Sequence, residues 1–447
     1  MSIRNGRAKK TAITMIGIVL LIATTVFSVC AFEPLKGDMA TFDPNNQTFP
    51  TSGDTINVGI FDAFSGPAAL SGEVYSIAVG WVVHDINAQG GILVDGKKKK
   101  IKIVRGDTQA KPAIAKKVAE RLCLEDKVHM MCGTSGSHIG LIGQQVAAKY
   151  KTIYLNYAGF SKALHDASNF NRYTFRCCWQ TDTEGAAMAY FFSKRPERKF
   201  YILNQDYGYG HIVAESFKKY LKKYKPEAEI VGEAYHPLFM KDFAPYLTKV
   251  QGTGAEIIFS TNWPPDGDNL MKQAKELGIS AQLAGLYFDN YSPLETIGGP
   301  KGKGIINLFF HLACVDTPEN NRFNEIWTKQ WKSWAKPYDS PLYRWPTASV
   351  GGAVLACYWF FDVMQRAAST NPEKIITVWE GDEYESFTGK ATMRACDHQQ
   401  IKDVYVSVLD YPTKWYENSA GYTKAFIVPA EFCTPELPEG LERCNKK

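Results

Sequence analysis

From residue 55 onward the apolar positions fall into two alternating rhythms. Ile56, Val58 and Ile60 alternate with Asn57 and Gly59, which is strand spacing, and the run stops at the turn Ser65-Gly66-Pro67. Ile77, Val79, Val82, Val83 and Ile86 then recur at helical spacing over 75–87, and Gly90-Gly91 ends that helix. Residues 101–104 read as the next strand. Residues 112–126 read as the next helix, with Ile114, Ala115, Val118, Ala119 and Leu122 on one face. The same alternation continues: strands at 128–132, 153–155, 200–203 and 257–260, helices at 211–224 and 269–277. Repeated strand–helix units predict an α/β fold, with parallel sheets covered by helices on both faces.

Such sheets bind ligands beyond the carboxyl ends of their strands. The loops in that position are 62–72, 133–137, 156–161, 204–210, 262–267 and 286–290, all rich in Gly, Ser, Thr, Asn, Asp or aromatic residues. Together they suit a polar ligand head and an apolar or flat body, although each alone is also ordinary turn composition.

No catalytic motif is complete. Gly133-Thr134-Ser135-Gly136-Ser137 lacks the last glycine of a nucleophile elbow. Gly208-Tyr209-Gly210 has Val213 where a dinucleotide turn needs a third glycine. The eight histidines show no zinc spacing, and no CxxC occurs. The chain therefore reads as a binder: no enzyme activity, no catalytic residue, no cofactor and no metal are expected. Its net charge of +5 is spread out. The runs Lys97 to Lys100 and Lys218, Lys219, Lys222, Lys223 and Lys225 read as a solvated turn and a solvated helix face, so no nucleic-acid partner is expected.

The first residues change the picture most. Arg4, Arg7, Lys9 and Lys10 precede an apolar stretch over 12–29 and small residues at Cys30-Ala31, the layout of an export signal cut after Ala31. A lipid-modified Cys30 and an uncut membrane anchor are the alternatives, and each leaves the rest of the chain outside the cytoplasm. Residues 32–54 read as a Pro-, Asn- and Thr-rich linker. Export permits disulfides. Among ten cysteines, Cys433 with Cys444 and Cys123 with Cys132 are candidate pairs, though pairing does not follow from sequence.

Residues 58–92 read VGIFDAFSGPAALSGEVYSIAVGWVVHDINAQGGI. This stretch closely resembles the start of the leucine/isoleucine/valine-binding family, the type I solute-binding proteins of branched-chain amino acid ABC transporters. The likeness continues through Gly106-Asp107-Thr108, residues 133–137, Asp206-Tyr207-Gly208-Tyr209-Gly210, Lys241-Asp242-Phe243, Phe387-Thr388-Gly389 and residues 404–408. It covers about 55–410. The resemblance implies two doubly wound lobes joined by three crossovers near 178, 311 and 387. Lobe one would take 55–178 and 312–386, lobe two 179–311 and 387–410, with 411–447 an extension. It also implies closure of the lobes on a ligand.

Carried over position by position, the resemblance puts Ser137 at the ligand carboxylate. Ala158, Gly159 and Phe160 fall in the loop that holds the ligand head, with Phe160 in place of a usual Thr. Tyr207 and Trp263 match aromatics of the second lobe. Tyr287 stands where the family carries an acid that pairs with the ligand ammonium, and Asp289 is the nearest replacement. The implied role is an extracytoplasmic, monomeric solute-binding protein. It would take a hydrophobic (branched-chain or aromatic) amino acid or a related carboxylate and deliver it to ABC permease subunits. A ligand-sensing domain on the same fold is the alternative.

Protein recovered from its native source is expected to begin near residue 32 and to fractionate outside the cytoplasm. Intact-mass spectrometry decides this: lipid on Cys30 would mark the anchored form, and an intact Met1 in a soluble cytoplasmic pool would overturn export.

Overall fold

The computed structural model describes residues 31–47 and 53–445. The leader, with Cys30, lies outside the described residues. Strand β1 (Ile56–Asp62) is buried along nearly its whole length, as expected for a strand covered on both faces. Helix α1 (Ala69–Ala88) follows, ending in Gly90 and Gly91 at positive φ. A short hairpin follows, with Ile92 and Val94 of β2 (Ile92–Val94) buried and the mostly exposed β3 (Lys97–Lys99) carrying the first lysine run. Then come β4 (Ile101–Asp107), α2 (Pro112–Leu124) with proline in its first turn, β5 (Met130–Gly133), α3 (Ser137–Tyr150), β6 (Ile153–Asn156) and β7 (Thr174–Arg176). Strands β4, β1, β5, β6 and β7 pair in that order, all parallel.

After β7 the chain enters a second sheet. Its elements are α4 (Thr181–Ser193), β8 (Lys199–Gln205), α5 (Gly208–Tyr224), β9 (Glu229–His236), α6 (Ala244–Gln251), β10 (Ile257–Ser260), α7 (Asp266–Glu276), β11 (Gln282–Gly285), α8 (Tyr291–Ile297) and β12 (Ile306–Phe309). Strands β9, β8, β10, β11 and β12 are parallel neighbours. The chain then returns to the first lobe as α9 (Pro318–Trp331), α10 (Ala348–Arg366) and α11 (Pro372–Trp379). These bury Trp327, Trp359 and Trp379 against α1 and the first sheet. Among the described residues no helix is long and apolar enough to cross a membrane.

The last quarter departs from the expected plan in three ways. Strands β13 (Glu383–Ser386), β14 (Gly389–Arg394) and β15 (Gln399–Lys402) extend the first sheet, β15 pairing with β7. The third crossing therefore falls at Asp403, not near 387. The reason is that β14 and β15 form an antiparallel hairpin, which stays together on one sheet edge. Next, β16 (Val404–Val408) runs antiparallel to β12, and β17 (Phe426–Val428) runs antiparallel to β16 and closes the second sheet. The stretch expected to be an extension is thus part of lobe two. Finally α12 (Ala430–Cys433) and α13 (Glu442–Asn445) lead back to lobe one, where Cys444 bonds Cys396 in the β14–β15 turn. The expected pairs are corrected. Cys433 is a free thiol buried in the second core, and Cys123 and Cys132 are also free.

Residues 32–47 are not a free linker. Phe32, Leu35, Met39 and Phe42 are buried on lobe one. The Asp85 carboxylate on α1 accepts from Leu35 N at 2.8 Å, from Gly37 N and from the Tyr358 hydroxyl at 2.6 Å. A Cβ at Gly37 would stand 2.3 Å from the Asp85 carbonyl oxygen, so this strap needs glycine there.

Between the lobes lies an aromatic knot. Phe160, from the loop after β6, packs with Trp179 (5.8 Å between ring centres), Phe309 (6.1 Å) and Phe310 (6.5 Å). Trp179 and Phe310 belong to the first and second crossings. The tail passes the same place: Cys433, Thr434 and Pro435 line a small cavity with Trp179, Phe310 and Lys402.

The Cys396–Cys444 bond closes a loop of 48 residues of sequence separation. Chain-entropy reasoning values such a loop at about 4 kcal/mol. Cys444→Ser should lower the unfolding free energy by up to about 4 kcal/mol. In chemical denaturation, reductant should reproduce that loss in the parent protein and add nothing to the variant.

Candidate functional site

The carboxyl ends of both sheets face one cleft. From lobe one it receives Tyr75 of α1 and Ser135, Gly136, Ser137, Ala158 and Phe160 from the loops after β5 and β6. From lobe two it receives Tyr207, Tyr209, Trp263 and Tyr287. Leu342, Thr347 and Ser349 close it from the segment leading into α10. None of the lining residues is Asp, Glu, Lys, Arg or His.

Ser137 opens α3, and Gly136 before it has φ +86°, a left-handed conformation that suits glycine. No side chain caps this helix. Its first-turn N–H groups and partial positive charge therefore favour an anion at the cleft. The Ser137 Oγ accepts from Ser161 N at 3.0 Å, which leaves its own hydrogen free to donate. Arg176, fully buried behind this loop, donates to the Ser161 carbonyl at 2.9 Å. Burial lowers Arg176 to about 10, so it stays a cation at neutral pH.

The expected backbone donors at Ala158 and Gly159 are not available. Both amides donate to the Asn156 side-chain oxygen, at 3.2 and 2.7 Å, in a turn that satisfies its own polar groups. Gly159 does not line the cleft, whereas Ala158 does. Phe160 reaches the cleft with one face while packing into the knot.

On the second lobe the Trp263 Nε1 donates to the Tyr207 hydroxyl at 3.0 Å, so these two aromatics stand as one wall. Tyr287 has φ +60°, in the left-handed region that non-glycine residues rarely occupy. Its hydroxyl lies beside that of Tyr75, which also faces Ser349 and has no hydrogen-bond partner of good geometry among the described residues. Asp289, expected to replace the family's acid, does not reach the cleft. It is buried, accepting from the Tyr422 hydroxyl and from Ala348 N at 3.2 Å at the start of α10. Burial raises its carboxyl above the usual range.

Two further acids stand behind the lining. Asp62 at the end of β1 accepts from Ala63 N at 2.9 Å and from Ser135 N at 3.2 Å, and burial raises it to about 6. Glu184 in the first turn of α4 is fully buried and meets the Tyr209 hydroxyl at 3.0 and 3.2 Å. Burial raises it to about 8.

Of the eight residues expected at the site, Ser137, Ala158, Phe160, Tyr207, Trp263 and Tyr287 converge, and Gly159 and Asp289 do not. Reading only the loops that follow strands passes over Tyr75, which is on a helix, and Thr347 and Ser349, which begin one. The segment Trp345-Pro346-Thr347 before an apolar helix is a capping signal: the Thr347 hydroxyl accepts from Val350 N at 3.3 Å.

Comparison with known proteins follows this geometry. The family model described as "Periplasmic binding protein" matches residues 55–414. A Leu/Ile/Val-binding protein homolog 4 from Brucella melitensis is 24% identical over 366 residues, 78% of this chain and 82% of that protein. Among solved structures, the leucine-, isoleucine-, valine-, threonine- and alanine-binding protein from Brucella ovis in its closed conformation superposes with TM-score 0.73 at 21% identity, over 87% of this chain and 98% of that one. A solute-binding protein of an ABC transporter from R. palustris, in complex with 4-hydroxybenzoate, gives TM-score 0.69 at 20% identity, over 83% and 97%. These likenesses share the two-lobed type I architecture from end to end. With the family match running through both sheets and around the cleft between them, this chain belongs to the periplasmic binding proteins, a family of solute binders rather than of enzymes.

Proposed function

We propose that this chain captures a small carboxylate with a flat, apolar body and no ammonium group, and delivers it to the permease subunits of an ABC importer. It does so as a monomer outside the cytoplasm, once its leader has been cut or carries lipid at Cys30. The observation that carries the ligand class is the absence of any acidic side chain among the residues lining the cleft. A desolvated ammonium without a carboxylate partner costs several kcal/mol. Tyr287, at the family's acid position, offers only a phenol, and Asp289 is engaged elsewhere.

A carboxylate finds what it needs. The Ser137 hydroxyl, the uncapped start of α3 and the unpaired Tyr75 hydroxyl supply donors, and Arg176 adds positive potential from behind. Tyr207, Trp263 and Phe160 supply flat faces for the body. The names of similar proteins include both branched-chain amino acid binders and a 4-hydroxybenzoate complex. The cleft chemistry favours the second kind of ligand.

Isothermal titration with benzoate and 4-hydroxybenzoate against leucine and phenylalanine tests this reading. The aromatic acids should bind at least about 100-fold more tightly, a difference of about 2.7 kcal/mol. Tight binding of an amino acid with no binding of the acids would overturn it. Ser137→Ala should weaken the acid by about 1–3 kcal/mol, since a buried carboxylate oxygen loses a partner.

A further inference from the structure

We propose that Glu184, although it does not touch the cleft, is a positioning residue that tunes affinity for the ligand carboxylate by deciding which way the Tyr209 hydroxyl hydrogen points. The proposal rests on the reading of the ligand as a carboxylate. Its basis is a short chain of contacts. Tyr209 lines the cleft, and behind it the Glu184 carboxyl has Tyr209 as its hydrogen-bond partner, with both oxygens within 3.2 Å of the phenol. On the cleft side Tyr207 packs on Tyr209 at 5.8 Å between ring centres, and the Tyr287 phenol stands beside that of Tyr75.

The phenol has a single hydrogen. When Glu184 is ionised, Tyr209 must donate to it, and the ligand then faces phenol lone pairs with a negative charge behind them. When Glu184 is protonated, its O–H donates to the Tyr209 oxygen, and the phenol hydrogen is released toward the ligand. Protonation thus converts a repulsive contact into a charge-assisted hydrogen bond. The step balances as one proton taken up by the ionised fraction of Glu184 for each carboxylate bound.

Among the described residues no cation is set against Glu184 to hold it ionised. The elements packed on α4 are α5, β16, β17 and α12. The titratable groups that meet Glu184 are Tyr209, which bonds the carboxyl, and Tyr207 and Tyr287 beyond it, while Lys402, in one small cavity with the neighbouring Thr183, donates to Ser386 and Thr388 instead. On α4 itself Asp182 is paired with Lys162 at 3.2 Å. Burial raises Glu184 to about 8, so it is mainly protonated at neutral pH. A bound anion raises it further, which fixes the sign. Affinity is full below about 8 and falls as pH rises through the free protein's value toward the bound one, by up to about tenfold per pH unit.

The test is isothermal titration of the full chain with benzoate from pH 6.5 to 9.5, in buffers of differing ionisation enthalpy. The parent should take up a fraction of a proton near pH 8 and lose affinity above it. In Glu184→Gln, whose side chain has no titratable proton, uptake should vanish and the profile should be flat. Tyr209→Phe keeps the acid but removes the shared hydrogen. It should bind more weakly, with a pH dependence reduced to whatever bare charge repulsion supplies. Binding by the parent without proton uptake, or an unchanged pH profile in Glu184→Gln, overturns the coupling alone. Failure of the parent to bind benzoate or any other aromatic acid overturns the ligand reading and the coupling with it.

Discussion

The aromatic knot between the lobes is the constraint on which the remaining architecture depends. Two parallel sheets, each helix-covered, are complete cores on their own terms, and nothing in the βα pattern orients one to the other. Phe160, Trp179, Phe309 and Phe310 do so by burying their rings where two of the crossings run side by side. Edge-to-face packing of such rings adds about 0.5–1.5 kcal/mol per pair beyond the area buried. With the sheets joined there, their carboxyl ends confront each other, and the loops that end the strands become the two walls of one cleft. Phe160 in place of a hydroxyl residue is therefore as much a structural element as a ligand contact.

A second regularity concerns charge. The carboxyls nearest the cleft stand one layer back from its lining: Asp62 behind Ser135, Glu184 behind Tyr209 and Asp268 behind Asn290, with Asp289 held further off by Tyr422 and Ala348. All four are raised by burial. Asp62 and Asp289 hold backbone in place, the Ser135 loop and the start of α10. The lining is neutral, and the acids behind it act through the hydrogen bonds they accept. Buried carboxyls of this kind are costly unless hydrogen-bonded, and the cost is borne where rigid loops are most needed.

How much of this can be read in advance follows from range. The central strands are legible because 56–60, 101–104 and 257–260 carry their own periodicity, and the family resemblance supplies the two-lobed plan. Ser137, Tyr207, Trp263 and Tyr287 are legible because strand-ending loops face one cleft and the family resemblance singles out these positions within them. The strap over residues 32–47 is not legible, since Phe32, Leu35, Met39 and Phe42 follow no helical or strand period and are docked by Asp85 from 48 and 50 positions away. The three residues of β17 are too few to show a pattern, and their partners lie in β16. Glu184 sits in Thr-Asp-Thr-Glu-Gly, a run that reads as a solvated helix start and is in fact buried between α4 and α5. Cys444 finds Cys396 because the tail doubles back across both lobes, which spacing alone does not reveal.

The interleaving of the chain between the two sheets also governs how the molecule can be assembled. A chain that has emerged only as far as Phe310 holds ten parallel strands but two raw edges, β7 and β12, because their neighbours β15 and β16 are encoded some ninety residues later. The cover for the first sheet, α9 to α11, is missing as well. Neither half can mature while the other waits, so vectorial, domain-by-domain folding is closed to this protein. Its contacts are long-range by design, which makes for slow folding, and its waiting state exposes unpaired strand edges of the kind that nucleate aggregation. Neither sheet is complete until β15 and β16 have been supplied.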